Sequence, residues 1–140
     1  MSGQAESKDV LRRYVAAVEA GDAVAIRGFF ADNATWTLAA GELPISGSWH
    51  GRDAILEDFL ARAVANYEPG SIGLEVTGMV AEGNRVVVEW TTRARTTDGR
   101  SYENDCIGVF VVENGRIVAV REYMDTLYLR DTVFASSGDR

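Results

Sequence analysis

The chain has 140 residues, 46% of them apolar, with 21 acidic against 14 basic side chains and a formal charge of −7. That length suits one domain with a real core, and an acidic surface with no Lys/Arg cluster argues against nucleic acid as a partner. The single cysteine, Cys106, excludes an intrachain disulfide and a cysteine-rich metal site, and no apolar run approaches the roughly 20 residues that span a bilayer.

The opening "MSGQAESKD" is polar and cannot serve as a signal peptide. A soluble, cytoplasmic protein is expected, one domain over residues 1–140 with 1–6 and 135–140 flexible. In "SKDVLRRYVAAVEAGD", Val10, Leu11, Tyr14, Val15 and Val18 share one side at helical spacing. Ser7 or Asp9 is placed to cap that helix, and Gly21 to end it. Asp22 reads as the N-cap of a second short helix, "AVAIRGFF". "ATWTLA" is a strand, followed by a loop rich in Gly, Ser and Pro through Ser48. "GRDAILEDFLARAVANY" is a third helix, with Ile55, Leu56, Phe59, Leu60, Ala63 and Val64 along its apolar side, and "EPGS" breaks it.

Four β segments follow: "SIGLEVTGMVAE", "NRVVVEWTTRART", "RSYENDCIGVFVVE" and "GRIVAVREYMDT". The short turn-like links "EGN", "TDG" and "ENG" imply an antiparallel meander. Helices first and strands later predict an α+β fold, with helices on one face of a curved sheet. "LYLRDTVF" forms either a closing helix or a strand, and "ASSGDR" reads as frayed.

Strand alternation sets up the functional question. In the last segment Val118, Val120, Glu122 and Met124 share a face, so a carboxylate stands in a row of apolar side chains. The third segment groups Tyr102, Asn104, Cys106, Gly108, Phe110 and Val112 on one side, with Ile107, Val109 and Val111 opposite. The second opposes Val86, Val88, Trp90, Thr92 and Ala94 to Arg85, Val87, Glu89, Thr91 and Arg93. Its periodicity favours the Val88/Trp90 side as the covered one, with Glu89 in water. Several strands are apolar on both faces, so a second cover is needed. Either the tail folds over the outer face or a second copy does; the expectation is a homodimer through the convex sheet face, at Val88, Trp90, Val109 and Tyr123.

"RRYVAAVEAGDAVAIRGFFADNATW" resembles the first helices and strand of the ketosteroid isomerase and SnoaL-like group, within the nuclear transport factor 2-like superfamily. "GRSYENDCIGVFVVENGRIVAVREYMDT" is similar to the last hairpin of SnoaL-like proteins and limonene epoxide hydrolase, and "WHGRDAI" resembles the lead-in to the third helix. The resemblance implies a cone: three N-terminal helices packed on a strongly curved, mostly antiparallel sheet that encloses a pocket. Dimerisation through the convex face is usual in that group.

Carried over residue by residue, the catalytic sets do not transfer. Tyr14 matches the oxyanion-hole tyrosine of ketosteroid isomerases, but their base falls at Leu38 and their second acid at Gly108. Against limonene epoxide hydrolase, Glu122 replaces one catalytic aspartate. The arginine and other aspartate of that triad fall at Glu89 and Thr91, and its water-holding Tyr and Asn at Trp36 and Leu38. By position the alignment turns Trp36, Leu38, Glu89, Thr91, Arg93, Asn104, Cys106, Glu122 and Met124 toward the pocket, a convergence of polar groups in an apolar hollow.

The expected catalytic set is therefore Glu122, Glu89, Asn104 and Tyr14, with Glu122 as the base. Two nearby buried carboxylates raise at least one pKa, and a carboxylate near neutrality is a usable acid or base. Asn104 would orient it or donate to a developing oxyanion, and Arg93 would pair with Glu89. The alternative for Glu122 is a structural carboxylate bonded to Asn104 or Arg93. Trp36, Leu38, Thr91, Arg93, Cys106, Met124 and Phe59 are the expected substrate-binding residues, and His50 a loop residue near the pocket mouth. Neither "HExxH" nor paired-cysteine spacing occurs, so no metal or cofactor is expected. The leading function is metal-independent acid/base catalysis on an apolar, oxygenated, cyclic metabolite: isomerisation, polyketide-type cyclisation or epoxide opening. The alternative is a non-catalytic hydrophobic-ligand-binding or scaffold dimer.

Overall fold

The computed structural model describes residues 3–39 and 41–134; the predicted frayed tail at 135–140 lies outside them. Helix α1, Gly3–Ala20, starts upstream of the expected caps, so residues 3–6 are helical. Ser7 is not its cap: its hydroxyl donates to the Gly83 carbonyl at 3.1 Å, tying the helix to a distant β-turn. The helix ends as its sequence requires. Gly21 takes φ 67°, and the amides of Gly21 and Asp22 donate to the carbonyls of Val18 and Ala17. Only a residue without Cβ adopts that conformation at little cost. Asp22 then caps α2, Ala23–Gly28, accepting from the Ala25 amide.

Strand β1, Phe30–Leu38, is followed by a strand that the composition of the loop concealed, β2, Gly47–His50. The third helix, α3, winds as a π-helical segment Ala54–Phe59 and continues as the α-helical segment Leu60–Val64. Strands β3 (Gly73–Glu82), β4 (Arg85–Arg95), β5 (Ser101–Glu113) and β6 (Arg116–Met124) form the expected meander. The tail resolves as a helix, α4, Thr126–Leu129, running into a π-turn at Arg130–Phe134.

All six strands join one sheet in the order β2-β1-β6-β5-β4-β3. Every pairing is antiparallel except β1 with β6, which makes the sheet mixed. The fold is α+β, helices packed on a curled, open sheet. Helix α1 lies on β3 and β4, while the π-helical part of α3 rests against β1 and β2. Between these layers Leu11, Phe30, Ile55, Phe59, Val86 and Ile117 are fully buried. Each such side chain contributes about 1.5–3 kcal/mol by leaving water.

A bulge in β6 corrects the simple alternation. Val111 faces Ala119 but Val112 faces Ile117, so Val118 is the extra residue. Ile117 thereby joins the buried row of Val120, and Val118 drops out of it. Downstream of the bulge, Val120, Glu122 and Met124 keep the inner face. Among the described residues no helix is long and apolar enough to cross a membrane.

Candidate active site

The helices and the concave side of the sheet enclose a cavity of about 290 Å³. Its wall is almost wholly apolar. Tyr14, Val15 and Val18 come from α1; Phe59 and Leu60 from α3; Val88 and Trp90 from β4; Cys106 and Phe110 from β5; Glu122 and Met124 from β6; and Trp36 from β1. Among the described residues one ionisable carboxyl or basic side chain, Glu122, stands on that wall.

Glu122 arrives there by pairing. In β6 it lies opposite Gly108 of β5 and beside Leu38 of β1, so both flanking strands hold its backbone. Protein packs around its carboxyl, and the accessible surface it retains opens onto the cavity. Trp36 donates its indole N–H to Glu122 Oε1 at 3.1 Å. Burial pushes the Glu122 carboxyl up from the ordinary value to about 7, and the Trp36 hydrogen bond pulls the other way. Burial dominates because one neutral donor does not replace a hydration shell. Glu122 is therefore poised to hold or release a proton near neutrality.

The nearby groups stay neutral. Burial, reinforced by the charge of Glu122, pushes the Tyr14 hydroxyl above its usual range. The same two causes raise the Cys106 thiol to about 12, which leaves it protonated and a weak nucleophile. No hydrogen bond engages the Tyr14 hydroxyl among the described residues, so it is free to donate to a ligand. Its ring is fixed edge-on against Phe30, with centroids 5.5 Å apart, and tilts against Phe110 at 6.0 Å.

Of the expected site residues, the structure brings Tyr14, Trp36, Phe59, Cys106, Glu122 and Met124 to the cavity. The others go elsewhere, and β4 explains most of them. Strict alternation holds along it, so Val88, Trp90 and Thr92 face inward and Glu89, Thr91 and Arg93 outward. Glu89 is exposed and lies over Gly78 on the outer face, so it is no partner for Glu122. Thr91 donates to Asp105 at 2.9 Å, and Arg93 forms ion pairs with Glu75 and Glu103 at 2.8 and 2.9 Å rather than with Glu89. The resemblance implied Glu89, Thr91 and Arg93 in the pocket; they lie on the outer side, the side that the periodicity of the strand favours. A one-residue slip sends every side chain through the sheet.

Asn104 does sit on the inner row but spends its amide on Tyr102 Oη at 2.8 Å and the Asp125 carbonyl at 3.1 Å. It ties β5 to the start of α4 and does not touch Glu122. Leu38 packs in the core without lining the cavity, and His50 is an exposed residue of β2. Val88 and Trp90 belong to the cavity, so they cannot form part of an outer interface; Val109 and Tyr123 do lie on the outer face.

Several wall residues are missing from the expected site: Thr92, Tyr67, Tyr102 and Phe110, together with Trp90, which was expected at the dimer face. Trp90 donates to Thr92 Oγ1 at 3.0 Å. For all but Tyr67 the signal was present in the alternation of β4 and β5. Tyr67 lies beyond α3 and reaches the wall through an isolated bridge to Thr96, which nothing local announces. Among the described residues no three His, Cys, Asp or Glu side chains gather as metal ligands.

The Trp36–Glu122 contact carries a direct expectation. Trp36→Phe keeps most of the ring but removes a donor to the ionised form, worth about 1.5–3 kcal/mol for a charged acceptor. The Glu122 midpoint should rise by about one pH unit or more, read from its side-chain carboxyl resonance by NMR. An unmoved midpoint would show that this hydrogen bond does not set the acidity.

A curled sheet capped by helices over an apolar pocket is the arrangement of the nuclear transport factor 2-like class of folds. Within it, residues 11–120 match the family model of the SnoaL-like domain, and the chain belongs to that family. That family includes isomerases and cyclases. Among solved structures, Bal32a from a soil-derived mobile gene cassette is 26% identical, with a TM-score of 0.83 over 96% of this chain and 100% of its own. A nuclear transport factor 2-like protein of unknown function from Burkholderia pseudomallei K96243 is 25% identical, with a TM-score of 0.83 and the same coverage of 96% and 100%. TerC, crystallised with polyporic acid, is 18% identical, with a TM-score of 0.81 over 93% of this chain and 99% of its own, and shows the fold alone. No curated protein matches the sequence.

Proposed function

We propose that this SnoaL-like domain is a cytoplasmic enzyme that moves protons on an apolar, oxygenated, cyclic metabolite, with Glu122 as acid and base. The observation that carries this reading is one carboxyl, the only one among the described residues, on the wall of an apolar cavity, one oxygen held by Trp36, with a midpoint of about 7. A base works best when its pKa lies near the working pH. Glu122 Oε2 takes a proton from the carbon beside a substrate carbonyl. The electron pair moves onto the carbonyl oxygen, where the Tyr14 O–H donates to the developing charge. Returning the proton to a different carbon completes an isomerisation; attack of the enolate carbon on a second carbonyl of the same molecule, with Glu122 returning its proton to the new alkoxide, completes a ring closure. Water attack on an epoxide carbon, which breaks the ring C–O bond, with Glu122 taking the water proton and returning it to the opened ring oxygen, uses the same groups.

The single-carboxylate arrangement favours these reactions over those needing a second buried acid, since Glu89 is outside. Exchange of acidic C–H protons for deuterium in a panel of cyclic ketones tests the reading. The exchange rate in wild-type protein should rise with pH to a plateau with a midpoint near 7, and Glu122→Gln should lower the plateau by about 10²–10⁴-fold. Equal rates for the two proteins on every ketone that binds would leave a binding protein.

The outer sheet face is where we place a second copy. Ile107 and Tyr123 are respectively 40% and 44% exposed there, opposite each other across β5 and β6. Ile107→Glu should convert a dimer to a monomer in sedimentation equilibrium.

A further inference from the structure

The cavity carries a charge imbalance that proton transfer does not require. Glu122 is the one Asp, Glu, Lys or Arg on its wall among the described residues, and no cation balances it. The groups facing it from the other elements are Tyr14 of α1, Tyr67, and Tyr102 and Cys106 of β5; burial raises the pKa of each. None of them supplies a positive charge. Around the carboxyl the wall is aromatic. Trp36, which hydrogen-bonds Glu122, lies 5.2 Å from Phe59 and 6.2 Å from Phe110 between ring centroids, and Tyr14 closes the group 6.0 Å from Phe110.

Aromatic faces present negative potential, and an ionised carboxylate in a low-dielectric hollow adds to it. A small, strongly hydrated cation would lose too much hydration on entering. An alkylated ammonium has already exchanged most of its water for methyl and methylene groups, and its body fills the apolar volume. An anion meets the carboxylate, and the wall offers it only neutral hydroxyls, those of Tyr14, Tyr67, Thr92 and Tyr102, and no cation. The acidic balance of the whole chain, −7, steers in the same sense.

We propose that this cavity is also a receptor for a hydrophobic ammonium, a tertiary or quaternary amine on an aromatic or alicyclic body, its cationic head against the Glu122 carboxylate and the adjoining rings. The inference shares the cavity of the enzymatic reading but not its proton transfer.

Three probes of similar shape test it on the full chain by Trp36 and Trp90 fluorescence: benzyltrimethylammonium, its neutral carbon isostere neopentylbenzene, and 4-phenylbutyrate. Between pH 5.5 and 8.5 the affinity for the ammonium should rise at least tenfold, that for neopentylbenzene should stay level, and that for phenylbutyrate should fall. Glu122→Gln should flatten the ammonium profile while retaining the neutral probe, which also reports that the variant is folded. Ammonium binding no tighter than that of neopentylbenzene at pH 8.5, or an ammonium profile independent of pH, overturns the proposal. Titration of the Glu122 carboxyl without any probe separates the two readings. A midpoint near 7 with no ammonium preference removes only the receptor, and a midpoint near that of free glutamate removes the base as well.

Discussion

Glu122→Gln should make the protein more stable at pH 8 by about 3 kcal/mol, while removing the group proposed to do its chemistry. In the unfolded chain a glutamate loses its proton near pH 4.5, whereas in the folded protein Glu122 keeps it to about 7. Over that interval the folded state binds more protons than the unfolded state, so stability falls as pH rises. Below about pH 4.5 the full stabilisation of the neutral acid is present; above about 7 it is lost and the curve levels. A shift of about 2.5 units at 1.36 kcal/mol each gives the figure of about 3 kcal/mol.

Glutamine has the shape of the neutral acid, keeps an oxygen for the Trp36 N–H, and does not titrate. The two proteins should therefore unfold alike at pH 4.5 and diverge through pH 7, with the variant melting on the order of 10 °C higher at pH 8. Parallel stability curves across this range would mean that the carboxyl is solvated and the cavity is wet.

Gly108→Asp should destabilise the protein by about 4 kcal/mol or more, the sum of an overpacked site and a second buried charge. The position faces the cavity side of β5, directly opposite Glu122. A Cβ built there would stand 2.6 Å from the Phe110 ring and 3.0 Å from the Trp90 ring, and both rings are packed. Glycine is present because these two aromatics occupy the space a side chain would need. An aspartate would also stand within about 5 Å of Glu122 across the strand pair. Gly108→Ala isolates the steric part and should cost about 1–3 kcal/mol. Urea unfolding at pH 8, where Glu122 is ionised, measures both, and a cost below 1 kcal/mol for the aspartate would show that Phe110 and Trp90 move aside freely. The position that holds an acid in ketosteroid isomerases is thus closed to one here by packing.

The sheet was the most legible part of the fold. Four strands with short turns between them could pair only as a meander, and the capping residues Gly21 and Asp22 act at the helix ends where their chemistry put them. Strand β2 was hidden because a four-residue edge strand inside a Gly/Ser/Pro-rich loop has no periodicity of its own; only pairing with β1 defines it. The bulge at Val118 was hidden for a related reason. An extra residue leaves no local mark and shows itself only where Ile117, rather than Val118, meets Val112.

For the site, alternation proved a better guide than alignment. Val88, Trp90 and Thr92 alternate with Glu89, Thr91 and Arg93, and burying the two charged groups Glu89 and Arg93 to expose Val88 and Trp90 would have been costly. The borrowed register turned Glu89 inward against that cost, and the structure turns it back.

By itself the sequence determined the α+β layout and the placing of a glutamate among apolar neighbours on the last strand, because periodicity and turn chemistry are local properties of the chain. Tertiary structure alone decided that Trp36 of β1 meets Glu122 of β6 and that Tyr67 joins the wall. It also decided that, among the described residues, no second carboxylate shares the hollow. Those facts depend on which strands become neighbours and how the helices close over them, and long-range packing settles both.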